Sequence, residues 1–116
     1  MNMTASNPSP LKGFHAHLYF DPHEVEVARN FARAAGETFK LAVGRFHLEP
    51  VGPHPRGSCQ LSMSPQVFAE FALWAMAARG EMTIFAHGLS GDDRDDHTRY
   101  VLWFGPSEPL NLDIFD

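Results

Sequence analysis

The seven residues from Phe14 to Phe20 read Phe-His-Ala-His-Leu-Tyr-Phe. In an extended chain successive side chains point to opposite sides. Phe14, Ala16, Leu18 and Phe20 therefore share one face, and His15, His17 and Tyr19 share the other. The segment predicts a first strand with an apolar face and a histidine face.

The rest of the chain is organised around that strand. Asp21-Pro22-His23-Glu24 reads as a helix start: an acidic cap, a proline at the first helical position and a glutamate three residues after the cap. Ala28, Phe31, Ala32, Ala35 and Phe39 then recur at helical spacing. Residues 40–49 predict a second strand. Pro50-Val51-Gly52-Pro53-His54-Pro55 cannot continue a ladder, because three prolines remove backbone donors. Residues 57–63 predict a third strand. Ser64-Pro65 opens a second helix with an apolar stripe of Val67, Phe68, Phe71, Ala72, Trp74, Ala75 and Ala78, closed by Gly80. Residues 81–87 predict a fourth strand, residues 98–104 another and Leu110–Phe115 a short last one. The order β-α-β-β-α-β with a C-terminal strand extension is that of an α+β, ferredoxin-like antiparallel sheet carrying both helices on one face. Residues 1–12, polar with Pro8 and Pro10, read as a flexible tail, and 13–116 as one domain.

Composition narrows the function. With 116 residues, 44% hydrophobic and 20% charged, the chain suits a single globular domain. A formal charge of −5 gives no general attraction for nucleic acid or an anionic membrane. No apolar run approaches the roughly 18 residues of a membrane span. A single cysteine, Cys59, excludes an intrachain disulfide, and with no signal-like start the expected location is cytoplasmic.

Seven histidines are a high share, and histidine is the commonest metal ligand. In the split βαβ sheet the first strand is central and the fourth lies antiparallel beside it, so the end of the fourth meets the start of the first. His15, His17 and His87 then converge on the face away from the helices. A His-x-His pair on a strand sets its imidazoles about 7 Å apart on one side, and a third from the neighbouring strand completes a metal-binding set. His97 follows the acidic run Asp92, Asp93, Asp95, Asp96 and could fold back on the site. His54, in the proline-rich turn at the far end of the first strand, could reach it only by folding over the sheet or from a partner subunit. His23 reads as a solvated helix-start residue, His47 as an ordinary strand residue that shares a face with Glu49, and Cys59 as a small buried side chain.

At this point the chain resembles the DOPA 4,5-dioxygenase family of aromatic ring-opening enzymes. The matching segments are Phe14-His15-Ala16-His17-Leu18-Tyr19-Phe20-Asp21, Val51-Gly52-Pro53-His54-Pro55, Gln60, Phe85-Ala86-His87, Gly91-Asp92, Asp96-His97, Trp103-Phe104-Gly105 and Leu110-Asn111-Leu112. His-Ala-His, Gly-Pro-His-Pro and Asp-His in this order make the match specific. It departs from the family where Gly88 follows His87 in place of a proline, and in an alanine- and methionine-rich second helix. The resemblance implies extradiol cleavage of DOPA or a related catechol with O2 at a non-haem iron(II), whose ligands zinc or nickel could also take. Within it His15, His17 and His87 are assigned to the metal, and His54 and His97 to acid–base or substrate contacts. A carboxylate often joins two histidines in such sites, and Glu49 and Asp96 are the candidates. An open sheet face rich in Tyr19, Phe85, Trp103, Phe104 and Phe115 also needs cover, which predicts a homodimer. Two other readings compete: a non-catalytic dimeric small-molecule-binding domain that has lost its metal chemistry, and a cofactor-free oxygenase in which the histidines act only as bases.

Overall fold

The structure, a computed structural model, describes residues 9–116. Five antiparallel strands form one sheet: β1 (Phe14–Phe20), β2 (Ala42–His47), β3 (Gly57–Met63), β4 (Ile84–Gly88) and β5 (Val101–Phe104), in the order β2-β3-β1-β4-β5. Helices α1 (Val25–Thr38) and α2 (Pro65–Ala78) connect β1 to β2 and β3 to β4. This is the expected ferredoxin-like arrangement, widened by β5 at the edge beside β4. The expected tail 1–12 lies outside the described residues for 1–8. Near its end, Lys12 N–H donates to the Leu89 carbonyl at 2.8 Å.

The capping residues act where the sequence put them. Glu24 accepts the Asp21 N–H at 2.9 Å, although Pro22–Glu24 forms a separate 3-10 turn before α1 begins. Ser64 Oγ accepts the Val67 N–H at 3.2 Å. Each satisfies a backbone donor that a helix start leaves free.

Alternation in β1 decides where the core lies. Ala16, Leu18 and Phe20 join Leu61, Cys59, Ile84 and Ala86 against Ala28, Phe31, Ala32 and Ala35 of α1 and Phe68, Phe71 and Ala75 of α2. Cys59 is fully buried there, and burial pushes its thiol up to about 11, as befits a packing residue. Two expectations change. Leu110–Phe115 does not form a strand: residues Leu112–Phe115 make a 3-10 turn, begun by Asn111 Oδ1 accepting the Asp113 N–H. Phe104 does not look out of the open face, because its pairing with Ile84 turns it into the helix-side core, where it is 6% exposed.

The face opposite the helices is not left in water. Tyr19 and Phe85 are 1% and 0% exposed. Their cover comes from the same chain. The proline-rich segment after β2 folds back across the sheet, and the segment after β5 runs over it, joined by an Asn111 N–H donated to the Pro53 carbonyl at 2.8 Å. Arg56 donates to both carboxylate oxygens of Glu108, at 3.0 and 2.8 Å, and Arg94 pairs with Asp116 and donates to the Leu112 carbonyl. Exposure of this face therefore supplies no ground for a dimer. Among the described residues no helix is long and apolar enough to cross a membrane.

Candidate metal centre

The antiparallel register of β1 and β4 sets His15 directly opposite His87, and His17 opposite Phe85. The donor atoms of His15, His17 and His87 all lie within 4.8 Å of one another. His17 Nε2 and His87 Nε2 are 3.1 Å apart. Two nitrogens on neighbouring positions of one metal, each at about 2.1 Å, stand roughly 3 Å apart. The set therefore fits a metal ion.

Electrostatics favours the same use. His17 is held well below 6.5, first by burial and then by the neighbouring His54 and His87. His87 is lowered to about 4 by burial, against a smaller raising effect of its bond to the Gly88 carbonyl, and His15 is lowered by burial and by His97. All three stay neutral near pH 7, and a neutral imidazole is the form that ligates metals. A carbonyl only accepts, so the 3.0 Å contact between His87 Nδ1 and the Gly88 oxygen fixes the proton on Nδ1. His87 Nε2 then carries the lone pair, and without a metal His17 Nε2–H donates to it.

Both further histidines of the sequence reading reach this cluster. The His54 ring lies 4.1 Å from that of His17, and the His97 ring 4.2 Å from that of His87. His54 arrives by folding over the sheet within one chain. It is 8% exposed, lowered to about 4 by burial and by the nearby His97, and its Nδ1 is 2.7 Å from the Tyr19 hydroxyl. His97 Nδ1 lies 2.7 Å from the Asp93 carbonyl, which puts its proton there and leaves Nε2 as an acceptor. Together with Gln60, Pro53 and Phe115 these groups line a cavity of about 240 Å³, with the Phe115 ring 4.6 Å from His97 as part of its roof. Two larger cavities, of about 380 and 350 Å³, adjoin Val27, Arg79 and Met82 and include none of the histidines.

Neither candidate carboxylate joins the three donors. Asp96 is 3% exposed and spends one oxygen on Ser90, accepting its N–H at 2.9 Å and its hydroxyl at 2.6 Å, which fixes the loop that carries His97. Glu49 is exposed beyond the end of β2. His23 is exposed, and His47 lies outside the cluster. Tyr19 was missed as a functional group, although it extends the His-x-His alternation by one step onto the same face. Its phenol is pushed up, chiefly by burial, so it stays protonated. The Arg56–Glu108 pair beside it had no signal in the sequence, its members being 52 residues apart. Gly88 has its own reason to stand where the family has proline. Its N–H donates to the Tyr100 carbonyl at 2.9 Å, which proline could not do, and a Cβ there would come within 2.6 Å of Leu11.

Comparison with known proteins identifies a family. A family model for the Dopa 4,5-dioxygenase family matches residues 14–114. The chain is 31% identical to DOPA 4,5-dioxygenase of Amanita muscaria over 90% of its own length and 50% of that protein's. It is also 31% identical to an uncharacterized 21.2 kDa protein of Botryotinia fuckeliana, over 91% of the chain and 65% of that protein. The chain thus spans about half to two thirds of the length of these relatives. Its fold is similar, at a TM-score of 0.87 and 36% identity over 90% of both chains, to the crystal structure of a Nostoc punctiforme protein assigned provisionally to the dioxygenases. The match to the family model covers both interior strands of the histidine cluster and both loops that close over it, and the chain belongs to the Dopa 4,5-dioxygenase family.

Proposed function

We propose that this chain is an extradiol ring-opening dioxygenase that uses non-haem iron(II) and O2 on a catechol such as DOPA. The observation that carries the reading is the convergence of His15, His17 and His87 within 4.8 Å, with two more histidines packed against them. His15, His17 and His87 would hold the metal, and for His17 to bind through Nε2 its proton would move from Nε2 to Nδ1, the ring staying neutral. Iron(II) held there would supply a path for electrons from the catechol ring to oxygen.

The chain's own residues divide the proton work. His97 keeps its proton on Nδ1, against the Asp93 carbonyl, and presents Nε2 to the cavity as an acceptor for a catechol proton. His54 is the opposite. With the neutral Tyr19 phenol as donor to Nδ1, its Nε2–H would offer a hydrogen bond to the oxygen side of the reaction. Pro53 and Phe115 exclude bulk water above the ring. A cavity of about 240 Å³, below the roughly 300–1,000 Å³ of drug-sized pockets, suits a single aromatic ring.

The test is oxygen uptake with a catechol, followed together with the yellow colour of a ring-opened product. The proposal expects both with iron(II) and neither after chelation. Turnover that survives complete metal removal would instead establish a cofactor-free oxygenase.

A further inference from the structure

Strand β2 is broken in register. Val43 pairs with Leu61 and Phe46 pairs with Cys59, so Gly44 and Arg45 together stand opposite Gln60. Two residues against one is a β-bulge, a device that re-aims side chains. In an unbroken strand residues 43 and 46 would lie on opposite faces. Here both partners, Leu61 and Cys59, belong to the helix-side core, and Arg45 is turned to the histidine side. Glycine fits beside it, because a Cβ at residue 44 would lie a tight 3.0 Å from the Gln60 carbonyl oxygen.

Arg45 lines a groove of about 270 Å³ with His47, Ser58 and Val51. His17, His54 and Gln60 are shared between this groove and the cavity of about 240 Å³ at the histidine cluster. The two compartments therefore adjoin, and the groove adds Arg45 to the surroundings of the histidine cluster. No aspartate or glutamate lines the groove, and among the described residues Arg45 takes part in no ion pair.

We propose that Arg45 anchors a carboxylate on the side chain of a catechol whose ring lies at the histidine cluster. The substrate class is then a catechol with an anionic tail. An amino group on that tail adds nothing, since the groove offers an ammonium no counter-charge. The inference rests on the catechol reading given above.

Four compounds separate the terms: dihydrocaffeate carries the carboxylate alone, dopamine the ammonium alone, DOPA both and catechol neither. The expected order of kcat/KM places dihydrocaffeate at or above DOPA, then catechol, then dopamine, with the differences residing in KM. Arg45→Gln should lower the ratio of dihydrocaffeate to catechol about tenfold, the size of a lost charge-assisted hydrogen bond, and Arg45→Lys by less. Equal values for dihydrocaffeate and dopamine, or a ratio that Arg45→Gln does not move, would overturn the assignment. Turnover of none of the four would count against the dioxygenase reading. Arg45 is then judged by calorimetry, where wild-type protein should bind dihydrocaffeate about tenfold more tightly than Arg45→Gln does, and equal affinity refutes its role.

Discussion

The two faces of this one sheet are built on different terms. Toward the helices, β1 presents Ala16, Leu18 and Phe20 to an apolar core whose members gain stability simply by leaving water. Toward the other side the same strand presents His15, His17 and Tyr19, of which His17 and Tyr19 are as deeply buried as much of that core. Burying imidazoles brings little of that gain and forces them to stay neutral. The cover also differs: two regular helices on one side, and on the other irregular chain tied by Asn111–Pro53 and Arg56–Glu108. One face is arranged for stability. The other gathers five imidazoles, of which His17, His54 and His87 are buried, at a site that chemistry can use.

Substitutions should separate the faces. The largest effect is expected from His17→Ala or His87→Ala, which should abolish stoichiometric iron(II) binding while leaving a cooperative thermal transition. Calorimetric titration beside a melting curve checks both. Leu18→Ala, the next residue along β1 but on the other face, should do the reverse. It should lower stability by about 2–5 kcal/mol, measured by denaturant unfolding, and retain metal binding in the folded fraction. If His17→Ala proved as destabilising as Leu18→Ala, the division between the faces would fail.

Acid should act through the histidine face. His54 and His87 have folded values of about 4 against 6.5 when free, so an unfolded chain binds more protons between those values. The stability they allow is complete above about pH 6.5 and is lost as the pH falls through about 4. Urea midpoints of metal-free protein across this window should fall on acidification, and less steeply in His54→Gln. A smaller effect, roughly tenfold in kcat at unchanged iron content, is expected for Tyr19→Phe, by analogy with the loss of groups that orient a metal site's histidines. Smallest of all, Glu108→Gln should lower stability by no more than about 1 kcal/mol, because the pair with Arg56 is partly solvated.

What could be read in the sequence follows the same division. Period-two alternation in residues 14–20 and the caps at Asp21 and Ser64 are local signals, and they led to the sheet, both helices and the meeting of His87 with His15. Sequence order alone could not trace irregular chain. The return of His54 over the sheet depends on Tyr19 and on Asn111, 57 positions further along, holding Pro53. Leu110–Phe115 alternates well enough to suggest a strand, but Asn111 starts a 3-10 turn instead, and Phe115 closes over His97. The bulge at Gly44-Arg45 is likewise invisible without its partner strand, since only the pairing with Gln60 reveals the extra residue.

The central claim, a metal centre of three histidines serving ring cleavage, is tested most directly by an anaerobic iron(II) titration of the wild-type chain and of His17→Ala, followed by oxygen and a catechol. The account predicts one iron per wild-type chain, none held by His17→Ala, and oxygen-dependent yellow product only from the former. Iron binding that is absent in the wild type, or that persists undiminished in His17→Ala, would contradict it.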